Sequence, residues 1–89
     1  MVSTAFIAIN CELGSTNEII TEIRKVSGVD EVKEVGGLYD IIMRISADNP
    51  DKLKETITKQ IRTTAKILST LTLITTNKEQ IAIQWKWKN

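Results

Sequence analysis

Five segments of the chain have the apolar pattern of strands, the last of them strictly alternating, and two other segments have apolar residues at a helical spacing. The first segment, STAFIAINCE, is rich in residues that favour strands and predicts a strand with an apolar face. That face carries Ala5, Ile7, Ile9 and Cys11. The segments VDEVKEV, LYDIIMRI, KILSTLTLITT and QIAIQWKWK predict four further strands. Gly36 and Gly37 predict a hairpin turn before the third strand, because glycine readily adopts a positive φ.

A first helix is predicted between the first two strands. Ser15 and Glu18 have the spacing of a capping box, in which two side chains satisfy free N–H groups of the first turn. Gly28 is a typical residue for the end of such a helix. Its apolar stripe consists of Ile19, Ile20, Ile23 and Val26.

A second helix is predicted between the third and fourth strands. Asp48 or Asn49 is expected to cap it, because Pro50 suits the first helical position. The apolar residues on one side of this helix are Leu53, Ile57 and Ile61.

This order of elements, β-α-β-β-α-β followed by a terminal strand, is that of an α+β ferredoxin-like sandwich. We expect an antiparallel sheet with both helices on one face, formed by residues 1–89 as a single domain. The terminal strand has a strongly apolar side, formed by Ile81, Ile83, Trp85 and Trp87, which predicts burial against this subunit or a partner. The alternative is a Trp-Lys platform for single-stranded nucleic acid.

Alternation assigns the residues of strands three and four to two faces. In strand three, Leu38, Asp40, Ile42 and Arg44 are expected to face away from the helices. In strand four, the same side is predicted to carry Leu68, Thr70, Thr72 and Ile74. Such a mixed face would leave an apolar patch that monomers rarely expose, so we expect another subunit to cover it.

Charge and composition narrow the range of functions. The net charge of +1 argues against non-specific nucleic-acid binding, and the single cysteine and absence of histidine give no obvious metal site or nucleophile–base pair. No apolar run is long enough for a membrane span, and the N-terminus lacks the charged start of a signal peptide. We therefore expect a cytoplasmic protein without cofactors or enzymatic activity. The Ile- and Lys-rich composition suggests a thermophilic source.

The sequence resembles the effector-binding (RAM) domain of the Lrp/AsnC family. The resemblance rests on GGLYD, on the valine-spaced strand before it and on the later TLT, and covers roughly Thr4 to Thr76 in matching order. The family shows a G-x-Y-D motif and a T-x-T pair. Members usually carry an N-terminal helix-turn-helix, whereas this chain begins directly in strand one, so we expect a stand-alone domain that does not bind DNA directly.

The resemblance implies a ligand site and an assembly. Family members dimerise, assemble dimers into rings that are often octamers, and bind amino acids between dimers. The expected ligand-binding residues are Gly36, Gly37, Leu38, Tyr39, Asp40, Thr70 and Thr72. Expected partners are an amino-acid effector, further copies of the chain and full-length Lrp/AsnC-type regulators, with no membrane. The family often has Thr in place of Gly36, and Gly-Val in place of Lys66-Ile67.

Simpler interpretations of these residues remain open. Asp40 is equally suited to a hydrogen bond within its own turn, and Thr70 and Thr72 are ordinary strand residues. Tyr39 suits a core or an interface, and Cys11 a small buried position.

Two other functions are compatible with a ferredoxin-like fold. An RNA-binding module of the RRM type needs alternating aromatic residues on strand three, where this chain offers only Tyr39. An acylphosphatase-like enzyme needs a phosphate loop with an arginine after strand one, where this chain has CELGSTNE.

Overall fold

The computed structural model describes residues 2–75 of the chain. Four strands and two helices follow one another in the predicted β-α-β-β-α-β order. Their bounds are β1 Ser3–Cys11, α1 Thr16–Arg24, β2 Val29–Glu34, β3 Ile41–Ala47, α2 Pro50–Thr56 and β4 Ile67–Thr75. The predicted terminal strand QIAIQWKWK lies outside the described residues.

The strands form one antiparallel sheet in the order β2-β3-β1-β4. β1 therefore lies between β3 and β4, and it pairs with β3 from Ser3–Ala47 to Ile9–Ile41. This arrangement, with both helices packed on one face of the sheet, confirms the predicted ferredoxin-like sandwich.

The hydrophobic core lies between the sheet and the two helices. Alternate residues of β1 and β3 supply most of it, because every second side chain of a strand points to the same face. The fully buried members are Ala5, Ile7, Ile9, Ile19, Ile23, Ile41, Met43, Ile45, Leu53 and Ile61. The outer face of the central strands is also apolar, and Phe6, Ala8 and Ile42 are buried there.

Helix α1 presents its predicted apolar stripe to the core, with Ile19 and Ile23 buried. The predicted capping box is wrong, because the Ser15 hydroxyl donates to the backbone oxygen of Glu12 (2.6 Å) and accepts nothing from the first turn. Gly28 follows the helix with a φ of +95°, and a side chain there would collide with the backbone oxygen of Ser46. Glycine is therefore required where the chain enters β2.

Helix α2 begins at Pro50, and of the two predicted cap residues it is Asn49 whose side chain accepts a hydrogen bond from the Lys52 N–H (2.8 Å). The helix continues as a π-helical turn over Ile57–Ile61, which ends with the Arg62 N–H donating to the Ile57 oxygen (2.9 Å). The predicted apolar side is buried throughout, from Leu53 to Ile61. A π turn is uncommon and often marks a functional position.

A bulge in β4 determines which of its side chains face the helices. Asn10 pairs with Ser69 and Cys11 with Ile67, so Leu68 is an extra residue on the β4 side. One extra residue reverses the alternation for the rest of the strand. The face assignment extrapolated from Ile67 is therefore wrong beyond this point.

Candidate functional site

The turn between β2 and β3 carries most of the predicted site. It runs over residues 35–40, and the Val35 N–H closes it by donating to the Asp40 oxygen (2.9 Å). It is longer than the predicted two-glycine hairpin, because β3 begins only at Ile41. Gly37 adopts a φ of +106°, which explains a glycine at that position.

The remaining turn residues differ in exposure. Gly36 and Gly37 are exposed, with open space where a side chain would lie. Leu38 is almost fully exposed, at 89%, whereas Tyr39 is half-buried. The turn thus presents free backbone and one apolar side chain to a molecule outside this subunit.

Asp40 extends the pairing of β1 and β3 beyond its last residue pair. Its N–H donates to the Ile9 oxygen (3.0 Å), and its carboxylate Oδ2 accepts the N–H of Cys11 (2.9 Å). The carboxylate therefore binds the neighbouring strand as well as belonging to its turn. Since a carboxylate can accept several hydrogen bonds and Asp40 is half-buried, it retains capacity for a ligand.

Thr70 and Thr72 lie on the helix side of the sheet, so the predicted position of both on the outer face is wrong. Thr70 pairs with Ile9 and Thr72 with Ile7, and both isoleucines belong to the core between sheet and helices. Residues directly opposite each other in an antiparallel pair point to the same face.

The bulge at Leu68 also changes which residues of β4 form the predicted apolar patch on the outer face. Ile74 pairs with Ala5 and packs against the core, whereas Leu71 and Leu73 pair with Ala8 and Phe6 on the outer face. Those two leucines are 58% and 42% exposed.

Asp40 and the two threonines are consequently not brought together within one subunit. Thr70 is in the same cross-strand row as Ile41, two strands away, which is about 10 Å at the usual strand spacing. In addition, the Asp40 carboxylate accepts the Cys11 N–H on the β3 side of β1, whereas both threonines lie on its β4 side. The predicted residues form two separate clusters in this chain.

The threonine cluster lines a groove of about 340 Å³ between β4 and helix α2 with its π turn. Sequence analysis missed the helix residues of this groove, although their spacing of four places them in one row. Those residues are Lys54, Thr58 and Arg62. The floor of the groove is formed by Ile57 and Ile74.

Electrostatic interactions outside the groove are mostly exposed ion pairs. The best defined joins the Lys66 ammonium to Glu18 Oε1 (2.9 Å) across the end of α1. This hydrogen bond and the charge of Glu18 raise the pKa of Lys66 above its usual value. Lys66 also adopts a positive φ of 72°, at the position where the Lrp/AsnC pattern often has glycine.

Within residues 2–75, no group of three or more acidic, Cys or His side chains is arranged to hold a metal ion. The same part of the chain contains no helix that is long and apolar enough to cross a bilayer.

Solved structures with the same fold include close matches in size. A hypothetical protein PHS023 from Pyrococcus horikoshii superposes with a TM-score of 0.80 and 31% identity, covering 90% of this chain and 95% of that one. The Neisseria meningitidis transcriptional regulator NMB0573, crystallised with L-Met, superposes with a TM-score of 0.74. Its identity is 12%, over 85% of this chain and 51% of that one, so it shows the fold alone.

Sequence relatives include homocitrate synthases. That of Sulfurisphaera tokodaii is 33% identical over 75 residues, which are 83% of this chain and 16% of the relative. The chain thus spans about a sixth of the length of the curated relatives it matches. The sequence pattern of the Lrp/AsnC ligand binding domain matches residues 4–80. From this match over most of its length, the chain belongs to the Lrp/AsnC ligand-binding domain family.

Proposed function

We propose that this chain is a non-enzymatic regulatory module that binds an amino-acid effector between subunits. The observation that carries the proposal is the separation of Asp40 from Thr70 and Thr72 across the central strand, because Asp40 binds β1 on its β3 side and the threonines lie on β4 at its other side. Two clusters so placed contact a single small ligand only when they come from different subunits. Family membership supports a ligand-binding role, and the L-Met complex of a structural neighbour supports an amino acid.

The Asp40 turn suits the backbone end of an amino acid. Exposed N–H groups at Gly36 and Gly37 can hold a carboxylate, as backbone nests do. The free lone pairs of Asp40 can accept an ammonium group, in hydrogen bonds strengthened by charge. Leu38 and Tyr39 flank this position. Thr70 and Thr72 of a neighbouring subunit would then supply hydroxyls to a polar side chain.

Assembly is supported by the outer face of the sheet. Leu71 and Leu73 are exposed there, beside Phe6, Ala8 and Ile42, which are already buried within the subunit. A second copy covering this face would bury Leu71 and Leu73 and form a dimer. Further contacts between such dimers would form a ring and create the ligand site. Full-length Lrp/AsnC-type regulators are candidate partners through mixed assembly.

A thermal-shift screen against the twenty amino acids, combined with sedimentation velocity, tests the proposal. We expect an oligomer whose Tm rises with the concentration of at least one amino acid, because a ligand that binds only the folded state stabilises it by mass action. A monomer whose Tm responds to no amino acid would contradict it.

Substitutions at Asp40 separate its structural contact from ligand binding. Asp40→Asn keeps a side-chain oxygen for the Cys11 N–H but removes the charge, so we expect a nearly unchanged Tm and lost binding of the amino acid found in the screen. Asp40→Ala removes both, and leaving the Cys11 N–H unpaired costs about 1–3 kcal/mol of unfolding free energy. Unchanged calorimetric affinity in Asp40→Asn would exclude Asp40 as the ammonium ligand.

The homocitrate synthase match favours a second candidate, regulation of a biosynthetic enzyme. A segment similar to this chain makes up 16% of such a relative, which supports a role for this domain in regulating an enzyme of that kind. Adding the purified chain to a homocitrate synthase from the same genome tests this. Co-sedimentation and an effector-dependent change in rate support the candidate, and independent sedimentation with an unchanged rate removes it.

A further inference from the structure

The groove between β4 and helix α2 with its π turn has a chemical character that the threonines alone do not explain. Among residues 2–75, its charged lining consists of Lys54 and Arg62, and no acidic side chain of this part of the chain lines it. Neither cation takes part in an ion pair among residues 2–75. The groove is therefore a positively charged surface.

Hydroxyl groups lie between and opposite these cations. Thr58 is in the same helical row as Lys54 and Arg62, and Thr70 and Thr72 face them from β4. Each hydroxyl can donate one hydrogen bond, and lysine and arginine offer only donors. The polar lining thus favours an acceptor, and an ionised one most strongly.

Acidic residues of the same helix do not neutralise this surface. The Glu55 carboxylate is held by Lys59 (3.1 Å), one turn along the helix and away from the groove. Asp51 lies in the first turn of α2 and does not line the groove. An added anion is the group that would balance the two cations.

The floor and size of the groove limit that anion to a small molecule with an aliphatic part. Ile57 is buried and Ile74 half-buried, so the floor is apolar. A volume of about 340 Å³ is at the lower end of the range for small-molecule sites. Arg62, which caps the π turn, lines the groove together with Lys54.

We propose that the groove binds the side-chain carboxylate of an acidic amino acid, with Lys54 and Arg62 as the residues that select it. This inference rests on the proposed function, since the ammonium and α-carboxylate of the same ligand would bind the Asp40 turn of a neighbouring subunit. A neutral amide side chain would satisfy the threonines but leave both cations without an anion. A basic side chain would be repelled.

Calorimetry on the full chain with L-glutamate, L-glutamine and glutarate tests the inference. Hydrogen bonds to charged groups correspond to about tenfold or more in affinity, so we expect glutamate to bind at least about tenfold more tightly than glutamine. In Arg62→Gln and in Lys54→Gln this preference should fall, and in the double variant it should disappear. Lys59→Gln is the matched control, because it removes one positive charge from the same helix outside the groove.

The outcomes separate this inference from the proposed function. If another amino acid binds and glutamate does not, or if the double variant keeps the preference, the acidic assignment is wrong while the regulatory module stands. If glutarate alone binds and Arg62→Gln abolishes its binding, the groove is an anion site but the amino-acid function is wrong. If none of the three probes binds and no amino acid raises the Tm, both are wrong.

Discussion

Strands β3 and β4 flank the same central strand but are used differently. Met43 of β3 and Thr72 of β4 both pair with Ile7, so they occupy one row on the helix side. Met43 is fully buried there, whereas Thr72 is half-buried and lines an open groove. On the outer side the corresponding pair is Ile42, which is buried, and Leu71, which is exposed. β3 builds the core, whereas β4 has accessible side chains on both of its faces.

The largest expected effect on stability is at Met43, the buried residue in the row of Ile7. Met43→Ala should lower the unfolding free energy by about 2–5 kcal/mol, because it leaves a cavity in a packed site. Thr72→Ala, in the same row, should cost less than about 1 kcal/mol. Urea denaturation at one fixed protein concentration measures both. Equal losses would show that β4 belongs to the core as much as β3 does.

On the outer face, β4 should differ from β3 in its contribution to oligomerisation. Leu71→Asp should dissociate the oligomer in sedimentation velocity while far-UV circular dichroism stays that of a folded chain, because an exposed side chain contributes to the interface and little to the subunit. Leu13→Asp is the control, since Leu13 is fully exposed in a loop outside the sheet. An unchanged sedimentation coefficient for Leu71→Asp would place the interface elsewhere.

The smallest expected effect concerns the residue that precedes β4. Lys66 has a positive φ, so Lys66→Gly relieves strain that Lys66→Ala retains, and both lose the Glu18 ion pair. We expect the glycine variant to melt higher than the alanine variant by on the order of 4 °C. An equal Tm would mean that the backbone there is not strained.

The ion pair of Lys66 with Glu18 makes the stability of the folded chain depend on pH. Glu18 raises the pKa of Lys66 above its usual 10.5 in the folded chain. The ion pair's contribution to stability is therefore fully present below pH 10.5 and is lost as the pH rises through the raised pKa. The difference in Tm between the wild-type chain and Lys66→Ala should narrow at alkaline pH. If the difference in Tm persisted at alkaline pH, it would arise from the backbone at residue 66 and not from the ion pair.

Local patterns in the sequence predict most of the fold. The strand-forming composition of β1, the stripe of Ile19 and Ile23 and the Asn49 cap beside Pro50 are local features, and each is found where it is expected. In β3 the alternation also predicts the faces, because its pairing with β1 is regular.

What the sequence does not predict depends on pairing between distant segments. The bulge at Leu68 arises where β4 pairs with the end of β1, and no local pattern in KILSTLTLITT reveals it. That single residue moves Thr70 and Thr72 to the opposite face and divides the predicted site. The Asp40 contact with Cys11 likewise joins residues 29 positions apart. The residue types of the proposed site can thus be named from the sequence, but the separation of Asp40 from the threonines in the fold cannot.

The central claim is that the Asp40 turn of one subunit and the threonines of another form one ligand site. Mixing two variants that do not bind, Asp40→Asn and the double variant Thr70→Val/Thr72→Val, tests it after subunit exchange, with the amino acid found in the screen. Random pairing should restore about a quarter of the sites in calorimetry, because some interfaces then combine an intact turn with intact threonines. If exchange is confirmed and no binding returns, the two clusters do not share a ligand between subunits.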